Sequence, residues 1–258
     1  MTVTGPAELL ATWEAGLAAR AAARARLLHR AARPEADDEA LAALPVGARE
    51  ADLLALRRAL FGERMQVRLE CTACGAAMEF ELAADRFAER FGGDAAARGS
   101  GGPLRVSVDG WEVVFRPPRV ADVTAAAGAA HGAASGDAAR RALLLRCLDS
   151  VLRDGAPLDA ETAVDLLPAS VQRALAEAAE RADPGADVTF GIGCPECGEV
   201  TRAELDIASY LWTELDAWAR DLLLDVHLLA SSYGWSEPEI LALSPLRRRY
   251  YLELCADA

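Results

Sequence analysis

Lysine is absent from this chain. All 27 basic residues are arginine, they face 40 acidic ones, and the formal net charge is −13. A balance of that sign works against nucleic-acid phosphates and anionic membrane surfaces, which are bound through accumulated Lys and Arg. The glycine-rich stretch from Gly92 to Gly102 also lacks G-x-x-x-x-G-K-[ST], and no lysine exists to complete a phosphate cradle, so it reads as a linker. Histidine is scarce. His29, His131 and His227 lie in different kinds of segment, none with a cysteine or carboxylate at ligand spacing. There is no H-E-x-x-H, no Ser/His/Asp order and no dinucleotide fingerprint. Carboxylate pairs such as Asp37-Asp38 sit in polar connectors and read as solvated surface. The expectation is a protein that is not an enzyme. No run of eighteen apolar residues occurs, which excludes a membrane-spanning helix from the sequence pattern. The first residues carry no basic n-region, so a cytoplasmic location is expected.

What is present is a repeated pair of cysteines, Cys71-Thr-Ala-Cys74-Gly75 and Cys194-Pro-Glu-Cys197-Gly198. Each pair lies between segments in which apolar and polar residues alternate: Met65 to Glu70 and Met78 to Leu82 around the first, Val188 to Ile192 and Val200 to Ile207 around the second. Alternation of that kind predicts half-buried strands, so each pair sits at the tip of a hairpin. Two cysteines three apart in a tight turn aim both sulfurs at one point, and the following glycine supplies the positive φ the turn requires. One such knuckle gives two thiolates, and a structural zinc takes four tetrahedral ligands. Cys71, Cys74, Cys194 and Cys197 together predict one Zn2+ with no position left open for water or substrate. The separation of about 120 residues is far beyond ordinary ribbon spacing, which makes everything between the pairs an insertion closed by the metal.

Two other readings compete. A redox C-x-x-C belongs at a helix N-terminus, where the dipole lowers the thiol pKa, whereas strands flank both pairs here. Two structural disulfides need an oxidising compartment, and no secretory segment is present. The remaining cysteines, Cys147 and Cys255, read as a small core residue and an incidental one.

The rest of the chain reads mostly as helix. Pro6 to about Ala32 is expected as one amphipathic helix with Leu9, Leu10, Trp13, Leu17, Leu27 and Leu28 inward. A second runs from Ala48 to Phe61 and stops at Gly62, with Leu53, Leu56, Leu60 and Phe61 buried and an ion pair of Asp52 and Arg49 expected before the first hairpin. Phe87 and Phe91 suggest a short helix. Asp109-Gly110 turns a hairpin of Leu104–Val108 with Trp111–Phe115. A helix capped at Asp137 is expected to carry Leu143, Leu144, Cys147, Leu148, Val151 and Leu152 on its apolar face. Helices then follow from Leu158 and from Ala169 to Ala182, and a long one from about Ala208 to Ala230. Ser236 and Glu239 form a capping box, and Ser244-Pro245 opens a last helix with three arginines. That helical end could suggest DNA reading, but the arginines are local and the protein is strongly acidic.

The run Gly47-Ala-Arg49-Glu-Ala-Asp52-Leu53-Leu54-Ala-Leu56-Arg57, Phe61-Gly62, the first C-x-x-C-G and Phe115-Arg-Pro-Pro-Arg-Val-Ala-Asp122-Val resembles the baseplate hub assembly chaperones of T4-type phage. The second C-x-x-C-G, with Leu211-Trp212, Val226 to Ala230, Tyr233 to Ser236, Glu239 to Pro245 and Arg249 to Leu252, resembles the C-terminal end of the same family. The similarity runs from about Trp13 to Leu252, and the Gly/Ala loops around 92–102 and 124–138 are longer than the family pattern. Bacterial members of that family lie in clusters encoding contractile, phage-tail-like injection systems. The resemblance implies a non-enzymatic role in assembling baseplate hub, wedge or spike components by protein–protein binding. A permanent structural place in the baseplate is the alternative, and a nucleic-acid-binding zinc-ribbon regulator a more distant one.

The expected fold is α+β, mostly α-helical, with a split four-cysteine zinc ribbon made of two distant β-hairpins. Three segments are expected within one compact unit: 1–64, helical; 65–207, the ribbon hairpins with an inserted hairpin and helices; and 208–258, helical.

Overall fold

The computed structural model describes residues 5–85, 102–130 and 136–256. The chain is α+β and mostly helical, with small antiparallel sheets. It divides into two compact units, one formed by the residues up to Ala31 together with those from Ala208 on, the other by Ala32–Ile207. The suggested helix at Phe87 and Phe91, the Gly92–Gly101 stretch and His131 lie outside the described residues.

In the first unit, the helix expected from Pro6 to Ala32 is two, α1 (Pro6–Leu17) and α2 (Ala21–Ala32). Arg24 explains the break. Its Nε and terminal nitrogen donate to the carbonyls of Gly16 and Leu17 at 3.0 and 3.1 Å, taking up the acceptors that end α1. Its guanidinium also stacks 4.6 Å from the Trp212 ring. Gly16 is required by the same ring, because a Cβ there would lie 2.2 Å from it. Trp13 donates its indole N–H to Asp216 at 2.8 Å.

The second unit contains α3 (Asp38–Ala43), α4 (Val46–Phe61), β1 (Arg64–Glu70), β2 (Ala77–Ala83), β3 (Leu104–Val108), β4 (Trp111–Phe115), α5 (Val120–Ala130) and α6 (Asp137–Cys147). It continues with β5 (Leu148–Arg153), β6 (Ala156–Leu158), α7 (Ala160–Leu166), α8 (Ala169–Ala182), β7 (Thr189–Gly193) and β8 (Val200–Glu204). Leu53 and Leu56 of α4 are buried as expected, whereas Leu60 and Phe61 are half-buried and Leu54 and Arg57 take the inner places. Asp52 pairs with Arg33 at 3.0 Å, and Arg49 pairs with Glu50.

A larger departure concerns Leu148, Val151 and Leu152, expected on a helix face. The helix ends at Cys147, and Leu148–Arg153 is a strand pairing with β4 and β6 in a sheet of order β3-β4-β5-β6. The reason is a second Asp-Gly turn. Asp154 and Gly155 have φ of 51° and 79°, as Asp109 and Gly110 have 51° and 78°, the left-handed pair that a two-residue hairpin needs. Val106, Trp111, Val113, Phe115 and Val151 of this sheet bury against Ala163, Val171 and Leu175 of α7 and α8, with Leu167 between them. Beneath it, Asp122 is held by Arg116 and Arg146 and by the Arg119 N–H at 2.9 Å.

The first unit closes with α9 (Ile207–Tyr233), α10 (Glu237–Leu241) and α11 (Pro245–Ala256). Glu239 accepts the Ser236 N–H at 2.8 Å, as the capping box requires. Tyr233, Trp235 and Tyr251 form an aromatic cluster, Trp235 and Tyr251 meeting edge-on with centroids 4.8 Å apart. Among the described residues, no helix is long and apolar enough to cross a membrane.

Candidate metal centre

Two hairpins of the second unit carry the centre. β1 pairs with β2 and β7 with β8, each in antiparallel register up to the cysteine turn: Glu70 faces Ala77, and Gly193 faces Val200. Each turn is closed by the same bonds. Cys71 N–H donates to the Ala76 carbonyl at 2.9 Å and Gly75 N–H to the Cys71 carbonyl at 2.9 Å. In the second, Cys194 donates to Glu199 at 2.8 Å and Gly198 to Cys194 at 2.9 Å. Gly75 and Gly198 both have φ of +75°, a conformation an L side chain strains to adopt. Arg57 aims the first hairpin: almost fully buried, it donates to the carbonyls of Gly62 and Arg64, both at 2.7 Å, and so fixes the passage from α4 into β1.

The four cysteines that the sequence singles out come together. Their Sγ atoms all lie within 4.8 Å of one another, with Cys71–Cys197 and Cys74–Cys194 at 3.7 Å. A disulfide holds its sulfurs about 2.05 Å apart, so these are four thiols and not two bridges. A tetrahedron with metal–sulfur bonds of about 2.3 Å has edges of about 3.8 Å, close to the observed spacing. The residues present therefore fit a metal ion bound by four thiolates. Cys71 and Cys194 face inward, while Cys74 and Cys197 are exposed.

The two hairpins also touch beyond the sulfurs. Phe80 meets Phe190 edge-on at 6.3 Å. Thr201 is buried, and its hydroxyl accepts the Thr72 N–H at 3.2 Å and lies 3.5 Å from the Thr72 hydroxyl. Met78 packs with Cys71 and Cys194.

The electrostatics favour a cation. Backbone N–H groups of Cys74 and Ala73, with the Thr201 hydroxyl, bring the Cys71 thiol down to about 6. Cys74 accepts the Ala76 N–H, but the neighbouring thiols of Cys197 and Cys71 and partial desolvation push it up to about 12. Cys197 is raised too: the Glu199 N–H favours its thiolate, and desolvation with the adjacent Cys71 and Cys194 overrides that bond. One thiol ionises readily and its neighbours then resist, because like charges this close repel. A divalent cation reverses that balance and holds all four as thiolates.

Among the described residues, the other sulfur and imidazole groups are not part of this cluster. Cys147 lines an apolar pocket of about 210 Å³ with Phe115, Leu144 and Leu175, and burial followed by nearby Asp122 pushes its thiol up to about 11. Cys255 lies on α11, half-buried. His29 is buried in the last turn of α2, and His227 is exposed on α9. Sequence reasoning passed over Arg57 and Thr201. Only their place in the pattern could have marked them: an arginine on the apolar stripe of a helix, and a threonine on the inward side of a strand.

The chain matches the T4 bacteriophage base plate protein family over residues 9–209, most of its length and both cysteine pairs, and it belongs to that family. No curated protein and no solved structure matches it.

Proposed function

We propose that the chain is a non-enzymatic assembly chaperone for the baseplate hub of a contractile, phage-tail-like particle, held in shape by one structural Zn2+. Membership of the baseplate family supports a structural or assembly role. Four soft thiolates at tetrahedral spacing favour zinc over harder cations, and they leave no coordination position for catalysis.

The observation that carries protein binding is the outer face of α11. Leu246, Tyr250 and Leu254 recur every four residues, so they share one side of the helix, and they are 65%, 60% and 59% exposed. Single exposed apolar groups are ordinary, but a stripe over three successive turns marks a surface made for a partner. Arg247 and Arg249 flank it in an otherwise acidic chain, which suits an acidic, amphipathic segment of a hub, wedge or spike protein.

The test is affinity capture of tagged protein from its native host, read by mass spectrometry beside the composition of purified particles. Baseplate proteins in the capture, their loss in Leu246→Asp/Tyr250→Asp, and absence of this chain from mature particles are expected. Its presence in mature particles would instead make it a permanent baseplate component. Recovery of nucleic acid or polymerase in place of baseplate proteins would overturn the reading.

A further inference from the structure

The two knuckles correspond residue for residue. Cys71, Gly75 and Ala76 match Cys194, Gly198 and Glu199 in turn bonds, Gly75 and Gly198 share a φ of +75°, and the strand pairs Leu69–Met78 and Ile192–Thr201 occupy the same rung below each turn. Burial follows the same relation, since Met78 and Thr201 are each 4% exposed. Against this background one difference stands out. Thr72, between the cysteines of the first knuckle, has a backbone N–H, and Thr201 accepts it at 3.2 Å. The corresponding residue of the second knuckle is Pro195, which has no N–H to satisfy, and the residue corresponding to Thr201 is the apolar Met78. An acceptor is present where there is a donor and missing where there is none.

We propose that Thr201 is the positioning residue of the metal centre, a hydroxyl latch that joins the second hairpin to the first knuckle and holds Cys71 in place. Its oxygen accepts the N–H of Thr72, the residue next to the Cys71 ligand, and an outer-shell bond of this kind orients a ligand and raises its affinity for a metal. Because Thr72 and Thr201 are far apart in sequence, the latch closes the same long insertion as the metal. Met78 and Pro195 stand at the corresponding positions on the other side. This inference rests on the four-cysteine reading of the site.

The experiment is a zinc titration against a chromophoric chelator, with the cobalt-substituted thiolate charge-transfer spectrum recorded in parallel. Wild type is measured first, and failure to take up either metal would overturn the four-cysteine reading itself. Given wild-type binding, Thr201→Val is expected to weaken zinc about tenfold to a hundredfold and shift the cobalt spectrum, while Thr201→Ser stays near wild type. Thr201→Met should be as weak as the valine variant. Adding Thr72→Pro to it rebuilds the Met78–Pro195 arrangement, and the double variant should regain most of the affinity. Thr201→Val binding as tightly as wild type with an unchanged spectrum would overturn the latch alone. So would a double variant no tighter than Thr201→Met.

Discussion

Asp122 shows how much of the fold rests on single buried charges. Its side chain is 2% exposed and bridges Arg116 and Arg146 while accepting the Arg119 N–H. Burial alone would raise its pKa, but the bonds from Arg116, Arg119 and Arg146 outweigh that and hold the carboxyl below its usual range. A depressed folded pKa contributes stability that is complete above the ordinary carboxylate range, about 4, and is lost as pH falls through the folded value. Asp122→Asn is expected to cost about 2–3 kcal/mol, the partly exposed arginines tempering the loss, and to flatten the acid limb of the melting temperature against pH. A variant melting with the wild-type pH profile would contradict this. At the cysteines the sign concerns protons and metal. With Cys74 pushed up to about 12 and Cys197 raised, both hold protons at neutral pH, so zinc uptake should release protons and weaken as pH falls. Titrations in buffers of different ionisation enthalpy measure that release, and a buffer-independent heat would count against thiolate ligation.

At the scale of elements, the junction between α1 and α2 is set by Gly16, Arg24 and Trp212. Gly16→Ala puts a methyl group into the Trp212 ring, with an expected cost of about 1–3 kcal/mol from overpacking, read by urea denaturation. Stability equal to wild type would mean that the ring has room to move. This junction also shows what the sequence could not express. A run of alanines with leucines at helical spacing reads as continuous helix through residues 6–32, and the break comes from an arginine of α2 donating back to the carbonyls that end α1. The strand at Leu148–Arg153 was legible in principle, since Arg153-Asp154-Gly155 repeats the turn dipeptide of Asp109-Gly110. Leu144, Leu148, Val151 and Leu152 also fit a helical stripe, and short apolar runs do not distinguish the two periods. The cysteine hairpins were legible because spacing, glycine and flanking alternation all agree. Thr201 was not, because its role depends on which N–H lies across from it in the folded protein.

For the whole molecule, belonging to the baseplate family goes with an acidic composition without lysine and with four cysteines placed to hold a metal ion. The proposed zinc ties hairpins about 120 residues apart, and structural zinc supplies on the order of 10 kcal/mol of apparent binding energy in small domains. Removing it should therefore open the unit that spans Ala32–Ile207 rather than trim its edge. The most direct measurement is metal content and thermal unfolding of the same purified protein before and after chelation. One zinc per chain is predicted, with a sharp fall in melting temperature on chelation and the same fall, without bound zinc, in Cys74→Ser and Cys197→Ser. Protein that carries no metal, and melts unchanged with chelator and in both variants, would contradict the account at its centre.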